Sequence, residues 1–308
     1  MLTFLPGRGE TIGAALVRDP RVSIIAFTGS SAVGLDILNA SAPASPFRDK
    51  DESASSFIPH PSSLLKRVIC EMGGKNAIIV DASADLDEAV LGVRDSAFGF
   101  SGQKCSACSR VIVVNACYDL FLMRLIESTR DLNICNPILP GTDLGPVIDG
   151  DAANKIRHYI EIGKAEGTLA YAAEASPLGE GFVGPHIFTN IQPHHRLANE
   201  EIFGPVLAVI RAGDFDHALQ IANATPYKLT GGVFSRTPKN LLRARNEFRV
   251  GNLYLNRGIT GALVGRQPFG GFGLSGVGSK AGGDAYLLQF VEPRIVTENT
   301  MRRGFAPE

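Results

Sequence analysis

Apolar residues recur along this chain in two alternating patterns: short β-branched runs, and longer stretches with a three-to-four-residue period. The runs at 2–6 (L-T-F-L-P), 22–27 (V-S-I-I-A-F), 76–80 (N-A-I-I-V), 110–114 (R-V-I-V-V), 206–210 (V-L-A-V-I), 232–234 and 251–256 predict buried strands. Helical periodicity fits 9–18, with Ile12, Leu16 and Val17 on one side, and 118–130, with Phe121, Leu122, Leu125 and Ile126 inward. It also fits a helix that starts after Ser83 as N-cap and runs through Leu86, Val90, Val93 and Ala97. Further helices are expected over 152–166, 214–224 and 238–249, the last with Pro238 in its first turn. Residues 169–173 and 186–191 read as strands around a glycine-rich turn, and 137–150 as turns. Strand and helix alternate throughout, so the fold class is α/β with doubly wound sheets. The first such unit is expected to be the parallel strand–helix–strand of residues 2–27.

Two features interrupt that pattern. Residues 40–63 are rich in Ser, Pro and Ala and carry a mixed charge run from Arg48 to Glu52, which predicts an exposed loop insertion. Residues 28–34 (T-G-S-S-A-V-G) form a Gly/Ser-rich turn between a strand and a helix, where backbone N–H groups are free to meet phosphate.

Composition narrows the class. The 308 residues are 44% hydrophobic and 20% charged, as in a folded globular protein. The net charge of −1 gives no electrostatic case for nucleic acid or an anionic membrane. No apolar run reaches the length of a membrane span, and no secretory signal is visible at the start. The five cysteines, at 70, 105, 108, 117 and 135, are too few and too irregular for a disulfide framework, so a cytoplasmic location is expected. Cys105-Ser-Ala-Cys108 has C-x-x-C spacing but no partner motif, and adjacent His194 and His195 point different ways on any regular element. No metal is expected.

The chemistry centres on residues 100–110 (F-S-G-Q-K-C-S-A-C-S-R). A thiolate at Cys105 could add to an electrophilic carbonyl. The small residues around it would let backbone N–H groups approach an oxyanion. Upstream, Glu71 opens E-M-G-G-K and could take a proton from water to free a thioester. A lone cysteine is more often inert packing than a nucleophile.

Together with E-E-I-F-G-P-V at 200–206, G-Q-K-C-S-A and E-M-G-G-K resemble the aldehyde dehydrogenase superfamily in order and spacing. The resemblance implies Cys105 as nucleophile and Glu71 as general base. It implies NAD as cofactor, held by Thr28, Gly29, Ser30, Gly34, Met72, Gly73, Glu201 and Phe203; Glu201 would bind the nicotinamide ribose, and Phe203 would pack near the nicotinamide. At Ser31-Ala32 the family often has Thr-Glu, so the acidic residue is absent.

A closer likeness lies in 259–265 (I-T-G-A-L-V-G) and S-K-A-G-G at 279–283. With the other motifs these resemble the 1-pyrroline-5-carboxylate (glutamate-γ-semialdehyde) dehydrogenases, including the C-terminal half of bifunctional proline utilisation proteins. Such a likeness implies oxidation of L-glutamate γ-semialdehyde to glutamate in proline catabolism. Its substrate-binding residues would be Ser106, Gly261, Ala262 and Phe269, with backbone N–H groups of Gly261, Ala262 and Ser106 on the α-carboxylate. Gly283-Asp284-Ala285 departs from the group, which usually has proline and aspartate before the tyrosine.

The likeness covers only the C-terminal part of the family fold. Residues 1–71 would be the C-terminal remnant of the NAD-binding domain, 72–275 the catalytic thiol domain, and 276–308 a tail returning to the cofactor domain and oligomer interface. The N-terminal half of the cofactor domain would be missing, leaving an open sheet edge with Phe4, Ile24 and Ile25 uncovered. The isolated chain is then expected to be inactive, with a complementing N-terminal chain as partner and a homo-oligomer in the full-length family. Two rival readings stand beside the first: a non-catalytic remnant or interaction subunit, and an aldehyde dehydrogenase with another substrate.

Overall fold

The computed structural model describes residues 2–42 and 65–301. Its largest unit is a seven-stranded sheet in the order β10-β9-β3-β4-β7-β6-β5. Those strands are β3 (Asn76–Val80), β4 (Cys108–Val114), β5 (Thr168–Ala172), β6 (His186–Thr189), β7 (Val206–Ala212), β9 (Thr230–Phe234) and β10 (Asn252–Leu255). All neighbours run parallel except β5, which is antiparallel to β6.

The strands are central because both faces of their side chains are apolar. Ala77, Ile79, Ile112, Val114, Ala208 and Ile210 join one buried cluster, and Ile78, Val80, Val111, Val113, Leu207 and Val209 join the other. Helices α3 (Leu86–Phe98) and α4 (Tyr118–Arg130) supply Val90, Val93, Phe98, Phe121 and Leu125 to the second cluster. Helices α5 (Gly150–Glu166), α7 (Phe215–Asn223) and α8 (Pro238–Glu247) cover the first. Each fully buried Val, Leu, Ile or Phe contributes about 1.5–3 kcal/mol, so this double layer dominates stability.

A second, three-stranded sheet has the order β1-β2-β12. Strand β1 (Ile24–Thr28) runs parallel to β2 (Arg67–Glu71), and the short β12 (Gly276–Val277) is antiparallel to β2. Between β1 and β2 lies α2 (Ser31–Ser41), so the parallel unit is β1-α2-β2. A two-stranded ribbon pairs β8 (Tyr227–Lys228) with β11 (Phe272–Gly273).

Several expectations fail in instructive ways. Residues 2–6 form no strand, and Phe4 is 89% exposed, because no strand among the described residues offers them a ladder. The first strand–helix–strand unit is therefore one element later than the apolar pattern indicates. Strand β1 is only half buried, and Ile24 and Ile25 are partly covered rather than open. The helix over 9–18 divides into a π-helical turn (Gly9–Gly13) and α1 (Ala14–Arg18), with no buried residue. The N-cap of α3 is Asp85, whose carboxylate accepts from the N–H groups of Asp87 and Glu88. Ser83 instead donates to Asp81 Oδ2 and lies 3.1 Å from Ser235 Oγ, tying β3 to β9. The expected 40–63 loop starts inside α2, and the rest of it lies outside the described residues from 43 on.

Arg110 explains how α7 is fastened. It is fully buried, and its guanidinium donates to the carbonyls of Lys75, Ile221 and Ala222 at 3.0–3.3 Å. The last two are in the final turn of α7, whose carbonyls attract a cation. Arg110→Met should cost roughly 2–4 kcal/mol, since it leaves buried acceptors unpaired. Urea unfolding checks this, and an unchanged midpoint would mean that water or neighbouring groups satisfy those carbonyls.

Candidate active site

The two sheets meet at the buried link Met72-Gly73-Gly74-Lys75, which runs from the end of β2 to the start of β3. Glu71, the last residue of β2, is held on both sides of its strand. It pairs with Thr28 of β1 and Gly276 of β12, and its carbonyl accepts from Gly29 N–H at 3.1 Å. Met72 N–H donates to the carbonyl of Ser275 at 2.9 Å. A Cβ at Gly270 would stand 2.6 Å from Glu71 Oε1, so only glycine lets this wall close on the carboxyl. Glu71 Oε2 is buried without a hydrogen-bond partner among the described residues. Burial raises the Glu71 carboxyl to about 7, against the opposing pull of the Lys280 ammonium.

Cys105 comes to this place on a loop with an unusual backbone. Phe100, Ser101 and Gly102 all have positive φ, at 58°, 56° and 68°. For the two non-glycine residues this costs on the order of 1–3 kcal/mol each. Ser101 is anchored by donation to the Gly145 carbonyl at 2.8 Å, and Gln103 Oε1 accepts from Ile148 N–H at 2.9 Å. Gly102 abuts the backbone of Gly204 so closely that a Cβ would overlap its carbonyl.

The far side of the loop is pinned by Asn76. Its amide donates to the carbonyls of Cys105 (2.8 Å) and Ala107 (2.9 Å) and accepts from Thr230 N–H (3.0 Å). Ser106, 8% exposed, has its carbonyl 3.3 Å from Thr230 Oγ1. The Cys105 thiol is raised above its ordinary range, first by burial and then by the carboxylates of Glu201 and Glu71. The backbone N–H groups of Ser106 and Cys105 pull the other way, so they act on the same sulfur. Cys108 is fully buried and pushed up to about 12, which suits packing.

Glu201 lies directly over the link. Its Oε1 accepts from Gly74 N–H at 3.0 Å, and a Cβ at Gly73 would overlap its carboxylate. Burial raises this carboxyl, and the Gly74 N–H opposes the shift. Phe203 is 43% exposed with φ 62°, another strained non-glycine position. Lys75 is 1% exposed, its Nζ unpartnered, and burial brings it down to about 7.

The turn after β1 has the expected form. Ser30 is the N-cap of α2, with Oγ accepting from Val33 N–H and its carbonyl from Gly34 N–H at 3.0 Å. A Cβ at Gly29 would run into the Phe27 ring, and one at Gly34 into Met72 Sδ. The turn, the link and Glu201 are thus in contact through glycines. Gly261, with φ 77°, lies on an exposed turn with open space where a Cβ would stand, beside half-buried Ala262. Ile259 anchors that turn by donating its N–H to Ser96 Oγ at 3.0 Å. Phe269 exchanges two backbone hydrogen bonds with Ala281, at 2.8 and 2.7 Å.

The profile described as "Aldehyde dehydrogenase family" matches residues 1–296. The chain belongs to the aldehyde dehydrogenase family. Among relatives of this family member is the 1-pyrroline-5-carboxylate dehydrogenase of Geobacillus kaustophilus (strain HTA426), 50% identical over 299 residues, which are 97% of this chain and 55% of the relative. The protein of the same name from Bacillus thuringiensis (strain Al Hakam) is 46% identical over 298 residues, 97% of this chain and 55% of that one. The chain therefore spans about half the length of the curated relatives it matches.

Solved structures agree. Proline utilization A from Bdellovibrio bacteriovorus, inactivated by N-propargylglycine, superposes with a TM-score of 0.89 at 51% identity, over 99% of this chain and 30% of that one. The 1-pyrroline-5-carboxylate dehydrogenase from Thermus with bound NAD gives 0.85 at 49% identity, over 94% and 53%. The aldehyde dehydrogenase α/β fold is thus established for this chain.

Three residues that sequence reasoning passed over organise the site. Asn76 was visible as a polar residue heading an otherwise apolar strand. Lys280, in the S-K-A-G-G stretch, and Lys75, in E-M-G-G-K, lay inside motifs already marked. His195 Nδ1 accepts from Gln192 N–H, and no group of three or more His, Cys, Asp or Glu that could hold a metal occurs among the described residues.

Asn76→Ala would strip both loop carbonyls and the Thr230 N–H of partners. It should destabilise the protein by roughly 2–4 kcal/mol and speed hydrogen exchange over 103–107. Unchanged exchange there would show that the loop is held by its own turn instead.

Proposed function

We propose that the chain carries the thiol and base of an NAD-dependent dehydrogenase that oxidises L-glutamate γ-semialdehyde to L-glutamate in proline catabolism. The observation that carries this reading is that half-buried Glu71, its carboxyl raised to about 7, leads directly into the glycine link against which the Cys105 loop packs. The 50% identity to 1-pyrroline-5-carboxylate dehydrogenases supports the substrate.

Cys105 Sγ adds to the aldehyde carbon. Its proton must leave to a base, because burial holds the thiol above its usual range. The tetrahedral adduct places its oxyanion near the N–H groups that already act on the sulfur, those of Cys105 and Ser106. NAD, when bound, supplies the acceptor for the hydride that leaves this carbon. The product is a thioester on Cys105. Glu71, near 7, is ionised in about half of the molecules at neutral pH and takes a proton from water. That water attacks the thioester, and the thiol is released with glutamate.

The residues present fit NAD. Thr28, Gly29, Ser30 and Gly34 would hold the pyrophosphate at the start of the 11-residue α2. Glu201, poised over Gly73 and Gly74, would take the nicotinamide ribose, with Met72 in the same link and Phe203 beside the ring. Gly261, Ala262 and Ser106 would present N–H groups to the substrate α-carboxylate, and Phe269 would line its chain. Residues 1–71, 72–275 and 276–308 are read as cofactor-domain part, catalytic part and returning tail. The exposed Leu287, Leu288, Val291, Ile295 and Val296 support a tail that packs on another domain or subunit. No helix among the described residues is long and apolar enough to cross a membrane, and a reducing cytoplasm would suit five free cysteines.

Because the chain spans about half the length of its relatives, turnover is tested with a segment corresponding to their remaining length added, in trans or fused. Glu71→Gln should then leave the NADH burst intact and slow steady turnover by roughly 10²–10⁴-fold. In the unsubstituted enzyme, deacylation should rise with pH through about 7, as Glu71 ionises. Loss of the burst itself in a folded Glu71→Gln protein would assign Glu71 to the first half-reaction and refute this role.

A further inference from the structure

Lys280 lies outside every role assigned so far, yet it is built into the wall of the base. Its Nζ donates to three acceptors: the Gly251 carbonyl, Asn252 Oδ1 at 3.0 Å and the Gly270 carbonyl at 3.0 Å. An ammonium has three protons to donate, a neutral amine only two. The three acceptors therefore select the charged form.

None of the three acceptors carries a charge. The positive charge of Lys280 is thus fully hydrogen-bonded but not neutralised where it sits. No ion pair joins it to Glu71 among the described residues, yet a Cβ on Gly270 would meet both Glu71 Oε1, at 2.6 Å, and Lys280 Cα, at 3.4 Å. Gly270 is the spacer between the two charges. Asn252 completes the clamp: it donates to the Pro268 carbonyl at 3.0 Å and accepts from Gly270 N–H at 3.3 Å. Phe269 lies between the two clamped residues Pro268 and Gly270, so the Lys280–Asn252 pair fixes the backbone on both sides of it.

We propose that Lys280 is a positioning residue for the base: it locks the Pro268–Gly270 wall around Glu71 and supplies, through one glycine, the positive charge that favours the carboxylate in a buried site. This rests on the reading of Glu71 as base given above. The groups that act on Glu71 support it. Burial raises the carboxyl, and Lys280 is the group that lowers it. The other ionisable groups coupled to Glu71 are thiols: Cys70 on the same strand and Cys105 on the nucleophile loop. Both are raised by burial and are neutral around pH 7, so they offer Glu71 no counter-charge. The coupling is reciprocal: burial lowers Lys280 below its ordinary range, and Glu71 opposes that shift.

The test reads charge, not turnover. The purified full chain is labelled at the glutamate δ-carbon, and the Glu71 resonance, assigned by its loss in Glu71→Gln, is titrated by NMR. In Lys280→Met the Glu71 midpoint should rise by about one pH unit, the low end of what a nearby opposite charge does to a carboxyl. The ionised fraction at pH 7 would then fall roughly fivefold. Lys280→Arg should keep the midpoint near the original, which a purely structural tether would not do, since the guanidinium fork cannot fill the same three acceptors. A midpoint unmoved in Lys280→Met, or raised equally in both variants, overturns the proposal. Should Lys280→Met fail to fold, Glu71→Gln gives the reciprocal reading with Lys280 intact. There Lys280 should titrate at lower pH, and an unchanged Lys280 midpoint overturns the proposal. A Glu71→Gln enzyme of full activity would sink the base reading and leave this coupling standing.

Discussion

Everything in this site depends on a link of four buried residues between two sheets. Met72 to Lys75 carries the chain from the three-stranded sheet, which ends at Glu71, into the seven-stranded sheet, which begins at Asn76. Side chains would block that passage. The space over Gly73 belongs to the Glu201 carboxylate, and a Cβ at Gly74 would stand 2.8 Å from the Cys105 carbonyl. The two glycines let an acid from a distant loop and the Cys105 loop press on the same stretch of backbone. Asn76 then converts contact into register, because its single amide holds Cys105, Ala107 and Thr230 at once. Leaving such a buried amide or its partners unpaired costs about 1–3 kcal/mol per group, so this geometry is strongly preferred over neighbouring ones.

Closeness of charge in a dry place sets the chemistry. Burial is the largest influence on Glu71, Cys105 and Glu201 alike, and in each it favours the neutral form. The site is therefore more protonated at rest than the same groups in water. A base that titrates near neutrality can both take a proton from water and give it up again within one cycle. The opposing charges are few and indirect. Lys280 reaches Glu71 across a glycine, and Lys75 meets the fields of Glu201 and Glu200 with its own Nζ unpartnered. Small changes at these lysines are thus expected to move proton affinities more than they move atoms.

Much of this was legible in the sequence, and the failures have physical causes. Strands β3, β4 and β7 are apolar on both faces and are buried between helices, as their runs indicate. The Gly/Ser-rich turn after β1 also opens a helix, as its local chemistry indicates. Residues 2–6 misled because an apolar run becomes a strand only where a neighbour completes its hydrogen bonds. Ser83 and Asp85 are both good caps by type, and the contest was decided by Asp81, which draws the Ser83 hydroxyl away. Asn76 and Lys280 act through partners far along the chain, at Thr230 and Gly251, and no local pattern reports such pairings. The motifs mark the cysteine and the glutamate proposed as nucleophile and base, but not the residues that hold them in place.

If the link delivers one particular sulfur to the substrate, a single turnover should mark that sulfur alone. Rapid quenching of a single turnover of 1-pyrroline-5-carboxylate with NAD, followed by peptide mass spectrometry, tests it most directly in the complemented enzyme. The expected result is one acyl group, confined to the peptide of Cys105, with Cys70, Cys108, Cys117 and Cys135 unmodified. An acyl group on any of those four, or full turnover by a Cys105→Ala protein, would contradict the account.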